Sequence, residues 1–185
     1  MTNNDNKLSM ASAYDPATVE ERIYDNWNST GKFQPTIDKG KDPFVMIMPP
    51  PNVTGELHMG HALTFAVEDM IVRWHRMKGE PTLFLPGTDH AGIATQVVVE
   101  RLLASEGTNR HDLGREEFEK RIWSWVEEYG ERIYDQLRRL GTSCDWSRKT
   151  FTLDDGPRKA VRKTFVDPVS YTHLRAHETR HDLVC

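Results

Sequence analysis

Residues 44–61 read FVMIMPPPNVTGELHMGH, and this stretch sets the architecture because it leads from a strand, through a loop, into a helix. The apolar run FVMIM is typical of a short strand buried in a sheet. Three prolines end the strand, since proline has no backbone N–H to donate to a neighbouring strand. The sequence therefore predicts a strand at 44–48, a loop beyond it and a helix that begins near His61.

The helix after this loop is predicted from about His61 to Lys78, with Gly79 closing it. Its apolar residues recur at steps of three and four, which indicates a single apolar stripe along the helix. That stripe consists of Leu63, Ala66, Val67, Met70, Ile71 and Trp74.

Further strands and helices are expected on both sides of this unit. Upstream, Asp15-Pro16 starts a helix that ends at Gly31. Downstream, a strand covers 82–85, Pro86-Gly87 turns the chain out of it, and helices follow at about 93–104 and 115–140. Alternating strands and helices predict a parallel sheet with crossover helices. The expected fold class is α/β, the first half of a Rossmann-like nucleotide-binding domain preceded by an amino-terminal helix.

Composition narrows the class of protein further. The chain has 185 residues, a net charge of −4 and 37% hydrophobic residues, which fits one globular domain. A mildly acidic balance argues against nonspecific binding of nucleic acid. Two cysteines without a C-x-x-C pair make a disulfide framework or a structural zinc site unexpected. We see neither a signal peptide nor a transmembrane stretch, so a cytoplasmic location is expected.

The end of the loop carries residues suited to phosphate chemistry. His58 and His61 are three residues apart across the predicted helix start, so both can face the same side. A helix amino terminus attracts anions, and two imidazoles can donate hydrogen bonds to a reacting phosphate. Gly60 lets a ligand approach the backbone. An isolated H-x-G-H more often marks two surface histidines, but the flanking strand and amphipathic helix favour a functional site.

HMGH at 58–61 resembles the HIGH signature of class I aminoacyl-tRNA synthetases. Its flank PPPNVTGELHMGHA, and LPGTDHAGIATQ at 85–96, are similar to the valine-specific members of that class. TNRHDLGREEF at 108–118 and LGTSCDWSR at 140–148 agree as well, so the resemblance covers residue 15 to about residue 166. The isoleucine, leucine and methionine members differ before the HIGH element and at the segment that matches GTDHAG.

The resemblance implies a two-step ligase that activates valine with ATP and magnesium and transfers it to tRNA. It implies a monomeric parent protein without a membrane partner or a protein-bound metal. His58 and His61 would be catalytic, and the ATP-binding residues would be His58, Met59, Gly60 and His61. Valine would be bound by Pro49, Pro50, Asn52 and Asp89, with Asp89 taking the ammonium group. By local pattern alone, Asn52 and Asp89 are ordinary turn residues.

Three parts of that family pattern do not occur in the 185 residues: the KMSKS signature, the editing domain and the anticodon-binding region. We therefore expect an incomplete catalytic unit that is inactive by itself. Two other functions stay open from the residues. One is a noncatalytic nucleotide-binding module, and the other is a small nucleotidyltransferase of the HIGH type.

Three segments are expected along the chain: a flexible tail at 1–14, the amino-terminal part of a synthetase catalytic domain at 15–167, and a non-native tail at 168–185. VSYTHLRAHET at 169–179 resembles a translated sequencing adapter. His173, His177, His181 and Cys185 recur every four residues, which is metal-ligand spacing, but the broken family pattern around them argues against a metal site.

Overall fold

A computed structural model describes residues 13–170 of the chain. Its elements are, in order, α1 (Pro16–Ser29), β1 (Phe44–Ile47), α2 (Met59–Met77), β2 (Thr82–Leu85), β3 (Gly87–Thr88), α3 (Ile93–Ser105), α4 (Arg110–Arg139), a 3-10 turn (Trp146–Arg148), β4 (Thr150–Phe151) and α5 (Asp155–Ser170). The predicted α/β class and the order of strands and helices are confirmed. Helix α5 continues through Ser170, so it crosses the boundary expected between residues 167 and 168.

The central unit is a parallel β–α–β crossover. Strand β1 pairs with β2 from Phe44 opposite Thr82 to Ile47 opposite Leu85, and α2 connects the two strands. Beyond β2 the short strand β3 pairs in parallel with β4. The predicted turn at Pro86-Gly87 is wrong, because the chain stays extended there. Pro86 cannot donate a ladder hydrogen bond, and pairing resumes at the next residue.

Helix α2 buries a different side from the one that carries its apolar stripe. Phe65, Asp69 and Val72 form its buried face, whereas the predicted stripe is largely turned to solvent. Its members Leu63, Val67, Met70 and Trp74 are between 45% and 68% exposed. The apolar stripe is therefore not the side of α2 that packs into the core of the described residues. Periodicity identifies an apolar side of a helix, but the neighbouring elements determine which side they cover.

The hydrophobic core lies between the β1–β2 sheet, α2 and α4. It is built from Met48, Val53, Phe65, Val72, Phe84, Ile133, Tyr134, Leu137 and Cys144. Helix α4 contributes Ile133, Tyr134 and Leu137 to this core. Helix α4 begins earlier than predicted, at Arg110, because Asn109 caps it and a kink at Gly114 (φ 74°) joins two helical segments.

Helix α1 is attached to the core by a buried hydroxyl. Tyr24 donates from its hydroxyl to the Thr142 carbonyl oxygen at 2.7 Å, and Trp146 Nε1 donates to the same hydroxyl oxygen at 2.7 Å. Asp145 is buried and accepts from the backbone N–H of Ser147 at 3.2 Å. These contacts give residues 145–148 a packing role beside α1.

One side of the sheet is left open in the described part of the chain. Strand β1 pairs only with β2 there, and Val45 and Ile47 on its outer face are 53% and 68% exposed. Half of a doubly wound sheet is expected to leave such an edge and such apolar surface.

Candidate active site

The two histidines of the HMGH segment cap α2 reciprocally. The Nδ1 atom of His58 accepts from the backbone N–H groups of Gly60 at 3.1 Å and His61 at 3.4 Å. The Nδ1 atom of His61 accepts in return from the backbone N–H of His58 at 3.3 Å. Because both Nδ1 atoms act as acceptors, the neutral rings carry their protons on Nε2. Each histidine therefore presents an Nε2–H donor.

The imidazole rings of this pair stack, with centroids 3.8 Å apart and planes inclined by 23°. His58 is exposed and His61 is half-buried at the amino terminus of the 19-residue helix α2. Desolvation by burial, and then the neighbouring His58, lower the pKa of His61. The neutral, Nε2–H form of His61 is thereby favoured at pH 7. Two donors at a positive helix end can bind a phosphate group.

Gly60 is required by the capping ring. A Cβ atom at this position would lie 2.9 Å from Cε1 and 3.0 Å from Nδ1 of His58. The imidazole of His58 therefore packs against the side of Gly60 on which a Cβ atom would lie. Met59, which lies between His58 and Gly60 in the sequence, is 82% exposed.

The predicted amino-acid-binding residues lie beyond the carboxyl ends of β1 and β3. The backbone N–H of Asp89 donates to the Pro51 carbonyl at 2.9 Å, and that of Val53 donates to the Asp89 carbonyl at 2.9 Å. These bonds place Asn52 opposite Asp89 in an isolated parallel bridge. Pro49 and Pro50 lie three and two positions before Asn52 and are exposed. The structure thus brings Asn52 and Asp89 together although they are 37 positions apart in the sequence.

Thr152 and His90 lie against the Asp89 carboxylate, and the sequence predicted a role for neither. Thr152 Oγ1 donates to Asp89 Oδ1 at 3.0 Å and lies 2.6 Å from Nδ1 of His90. No local pattern marks Thr152, because it reaches Asp89 only through the pairing of β3 with β4. Within that pairing, the Thr152 backbone N–H donates to the Thr88 carbonyl at 3.2 Å.

The backbone after His90 is strained. Ala91 has a φ of 54° and Gly92 a φ of 51°, so two consecutive residues occupy the left-handed region before α3 begins. Glycine adopts this conformation freely, whereas alanine does so at a cost of about 1–3 kcal/mol. Asp89 Oδ1 accepts from the Ala91 N–H at 3.1 Å, which helps to hold the strained turn. Strain of this kind is often found at functional sites.

Between residues 13 and 170, no three His, Cys, Asp or Glu side chains lie close enough to hold a metal ion. The histidines at 173, 177 and 181 and Cys185, considered above as a metal-like pattern, lie outside the described residues. Within the same range, none of the helices is both long and apolar enough to span a bilayer.

A parallel β–α–β unit with two N–H donors at the helix start beyond β1 is typical of nucleotide-binding α/β domains. Residues 22–174 match the family "tRNA synthetases class I (I, L, M and V)". The chain belongs to this family. The match includes the capping box, the bridge from Asn52 to Asp89, and Thr152.

Curated relatives of the chain are valine–tRNA ligases. The enzyme of Dehalococcoides mccartyi strain 195 is 61% identical over 158 residues, covering 85% of this chain and 18% of the relative. The enzyme of Bdellovibrio bacteriovorus is 58% identical over 157 residues, which again cover 85% of this chain and 18% of the relative. The chloroplastic/mitochondrial enzyme 2 of Arabidopsis thaliana is 62% identical over 147 residues, which is 80% of this chain and 15% of that enzyme. The chain thus spans less than a fifth of their length.

A solved structure shares the fold. The LeuRS of Agrobacterium radiobacter K84, in a ternary complex with tRNA and LeuAMS, superposes with a TM-score of 0.69 at 18% sequence identity. The superposition covers 85% of this chain and 18% of that one. At this level of identity the likeness establishes the class I synthetase fold alone.

Proposed function

We propose that the chain is the amino-terminal catalytic part of a valine–tRNA ligase, which activates valine with ATP and transfers it to tRNA. The capping box of His58 and His61 carries this proposal, because it leaves two Nε2–H donors at the amino terminus of α2. The valine–tRNA ligases similar to this chain support the choice of amino acid. Residues 15–167 form the catalytic part in this proposal, flanked by tails at 1–14 and 168–185.

In the first step, a carboxylate oxygen of valine forms a bond to the α-phosphorus of ATP. The bond from that phosphorus to pyrophosphate breaks, and pyrophosphate leaves with the electron pair. A carboxylate is already ionised at pH 7, so the step needs orientation and charge stabilisation rather than a base. His58 and His61 would donate from Nε2 to the charge on the phosphate, with Met59 and Gly60 beside the nucleotide.

Valine would be held at the carboxyl ends of β1 and β2. The carboxylate of Asp89 accepts hydrogen bonds from the ammonium group, and charge-assisted bonds of this kind are about twice as strong as neutral ones. Pro49, Pro50 and Asn52 line the pocket on the opposite strand end. In the second step, a terminal ribose hydroxyl of tRNA attacks the valyl carbonyl carbon, and AMP leaves.

Other parts of the proposal follow from the proposed reaction. Magnesium would arrive on the phosphates of ATP, since Mg²⁺ is usually bound through substrate phosphates and few protein carboxylates. The parent protein would act as a monomer in the cytoplasm. We expect the 185-residue chain alone to show no valine-dependent exchange of pyrophosphate into ATP, because its sequence holds no KMSKS lysine to stabilise the leaving pyrophosphate.

A chimera tests the proposed function directly. Residues 15–167 would replace the matching segment of the Dehalococcoides mccartyi enzyme, to which the chain is 61% identical over 158 residues. We expect valine-dependent ATP–pyrophosphate exchange, with leucine and methionine much weaker substrates. A folded chimera without exchange, or one that prefers another amino acid, would contradict the proposal.

His58→Asn separates catalysis from capping in this chimera. Asparagine is a preferred N-cap residue, so the helix start is kept, but the imidazole Nε2–H donor is lost. We expect kcat to fall by about 10²–10³-fold, the usual effect of removing one transition-state donor. His111→Asn is the matched control, since His111 is an exposed histidine in the first turn of α4. Equal exchange rates in the two variants would refute the role of His58.

A further inference from the structure

The hydroxyl group of Thr152 joins the two residues at the end of β3. Its oxygen lies 3.0 Å from Asp89 Oδ1, 2.6 Å from His90 Nδ1 and 2.9 Å from the His90 backbone nitrogen. The 62 and 63 positions between Thr152 and these residues make the contact wholly tertiary. One side chain directly after β4 therefore contacts both residues that follow β3.

Counting protons fixes the direction of these hydrogen bonds. A hydroxyl group has one proton to donate and two lone pairs to accept with. The His90 backbone N–H donates to one lone pair, and the Asp89 carboxylate can only accept, so the hydroxyl proton goes to Asp89. His90 Nδ1–H then donates to the second lone pair. The reverse arrangement would leave the Nδ1 lone pair facing Asp89 Oδ1 at 3.2 Å without a proton between them.

Two acceptor atoms remain after this assignment. A neutral ring protonated on Nδ1 has its lone pair on Nε2, which is the opposite of the tautomer at His58 and His61. All hydrogen bonds to the Asp89 carboxylate in the described part of the chain fall on Oδ1, from Thr152 and from the Ala91 N–H. Oδ2 accepts none there, and the side chain of Asp89 is 34% exposed.

We propose that Thr152 is a positioning residue for the ammonium group of the amino acid. Its hydroxyl holds Asp89 so that Oδ2 stays available to the ammonium, and it holds His90 as an acceptor on Nε2. This inference rests on the proposed function for the nature of the ligand, but the arrangement of protons belongs to the chain itself. An ammonium group has three N–H donors and needs such acceptors.

The hydroxyl is separable from the structural role of the strand. The backbone N–H of Thr152 bonds to Thr88 whatever the side chain is, so Thr152→Val keeps the pairing of β3 with β4. Thr152→Ser keeps the hydroxyl and loses only the methyl group. Thr150→Val is a matched control two residues earlier, in β4, because the Thr150 hydroxyl is exposed and donates to the Arg148 carbonyl at 3.2 Å.

The first measurement is ¹⁵N NMR of the imidazole nitrogens in the 185-residue chain, without ligand, in mildly alkaline solution where an ordinary imidazole is neutral. We expect His90 to be protonated on Nδ1 in the original chain, in Thr152→Ser and in Thr150→Val. In Thr152→Val, Nδ1 keeps only Asp89 Oδ1 as a partner, 3.2 Å away, so the fraction of the Nδ1–H form should fall and the Nε2–H form should appear beside it. An Nε2–H tautomer in the original chain, or an unchanged tautomer in folded Thr152→Val, would overturn the inference.

The second measurement uses exchange kinetics in the chimera. Thr152→Val should raise the KM for valine about 10- to 100-fold, which corresponds to weakening charge-assisted bonds by about 1.4–2.8 kcal/mol. The KM for ATP should not change, and Thr152→Ser should behave like the original chain. Equal effects on valine and ATP, or none, would refute the positioning role. A chimera inactive in every form would instead count against the proposed function, and the NMR result would still decide the inference.

Discussion

Gly60→Ala should have little effect on stability in the original chain and a clear stabilising effect once His58 is removed. The structure places the new Cβ atom 2.9 Å from Cε1 and 3.0 Å from Nδ1 of the His58 ring. Contacts this short force the ring out of its capping position. The variant therefore loses a side-chain cap, which costs about 1 kcal/mol, while replacing glycine within a helix stabilises by about 0.5–1 kcal/mol. The two effects nearly cancel.

A double-mutant cycle makes this reasoning testable. In His58→Ala the ring is absent, so Gly60→Ala should stabilise the chain by the full 0.5–1 kcal/mol expected for the helix. The coupling free energy between the two positions should then be about 1 kcal/mol. Urea unfolding of the four chains, followed by circular dichroism, measures it. Additivity within about 0.3 kcal/mol would refute the steric argument, because it would mean that the methyl group and the ring do not meet.

Three further predictions concern the rest of the chain. Tyr24→Phe should destabilise it by about 1–3 kcal/mol in urea unfolding, since it leaves the buried partners of the hydroxyl unpaired, whereas Tyr14→Phe at an exposed position should change little. Burial raises the pKa of the Cys144 thiol from 9.0 to about 12, so its contribution to stability is complete below pH 9 and decreases as the pH rises towards 12. Between pH 9 and 12, the free energy of unfolding measured in urea should fall by about 1.4 kcal/mol per pH unit because of this thiol. Cys144→Ala should remove this dependence on pH. Val67→Lys should change stability by less than about 0.5 kcal/mol while Val72→Lys should unfold the chain, and comparable losses in circular dichroism would contradict the observed orientation of α2.

Several features of the fold and the candidate site were predictable because their signals are local. The apolar run at 44–48, the prolines after it and the amphipathic stretch that follows specify strand, loop and helix within a few residues of one another. The pairing of His58 with His61 is equally local, since a helix start places residues three apart on one side. Their proton positions were not predictable, because these depend on which backbone N–H groups the rings accept from.

Tertiary packing determined the rest. The apolar stripe through Val67 had the right period for a core face, yet the core formed on the side of Phe65 and Val72, because the β1–β2 sheet and α4 cover that side. Asp89 carried a local pattern that fits any turn, and only the pairing of distant strands gave it Asn52 and Thr152 as neighbours. Helix and strand formation depends largely on residues close to one another in the sequence, so it can be predicted from local patterns. Contacts between residues dozens of positions apart arise only when the sheet is assembled, and no local pattern records them.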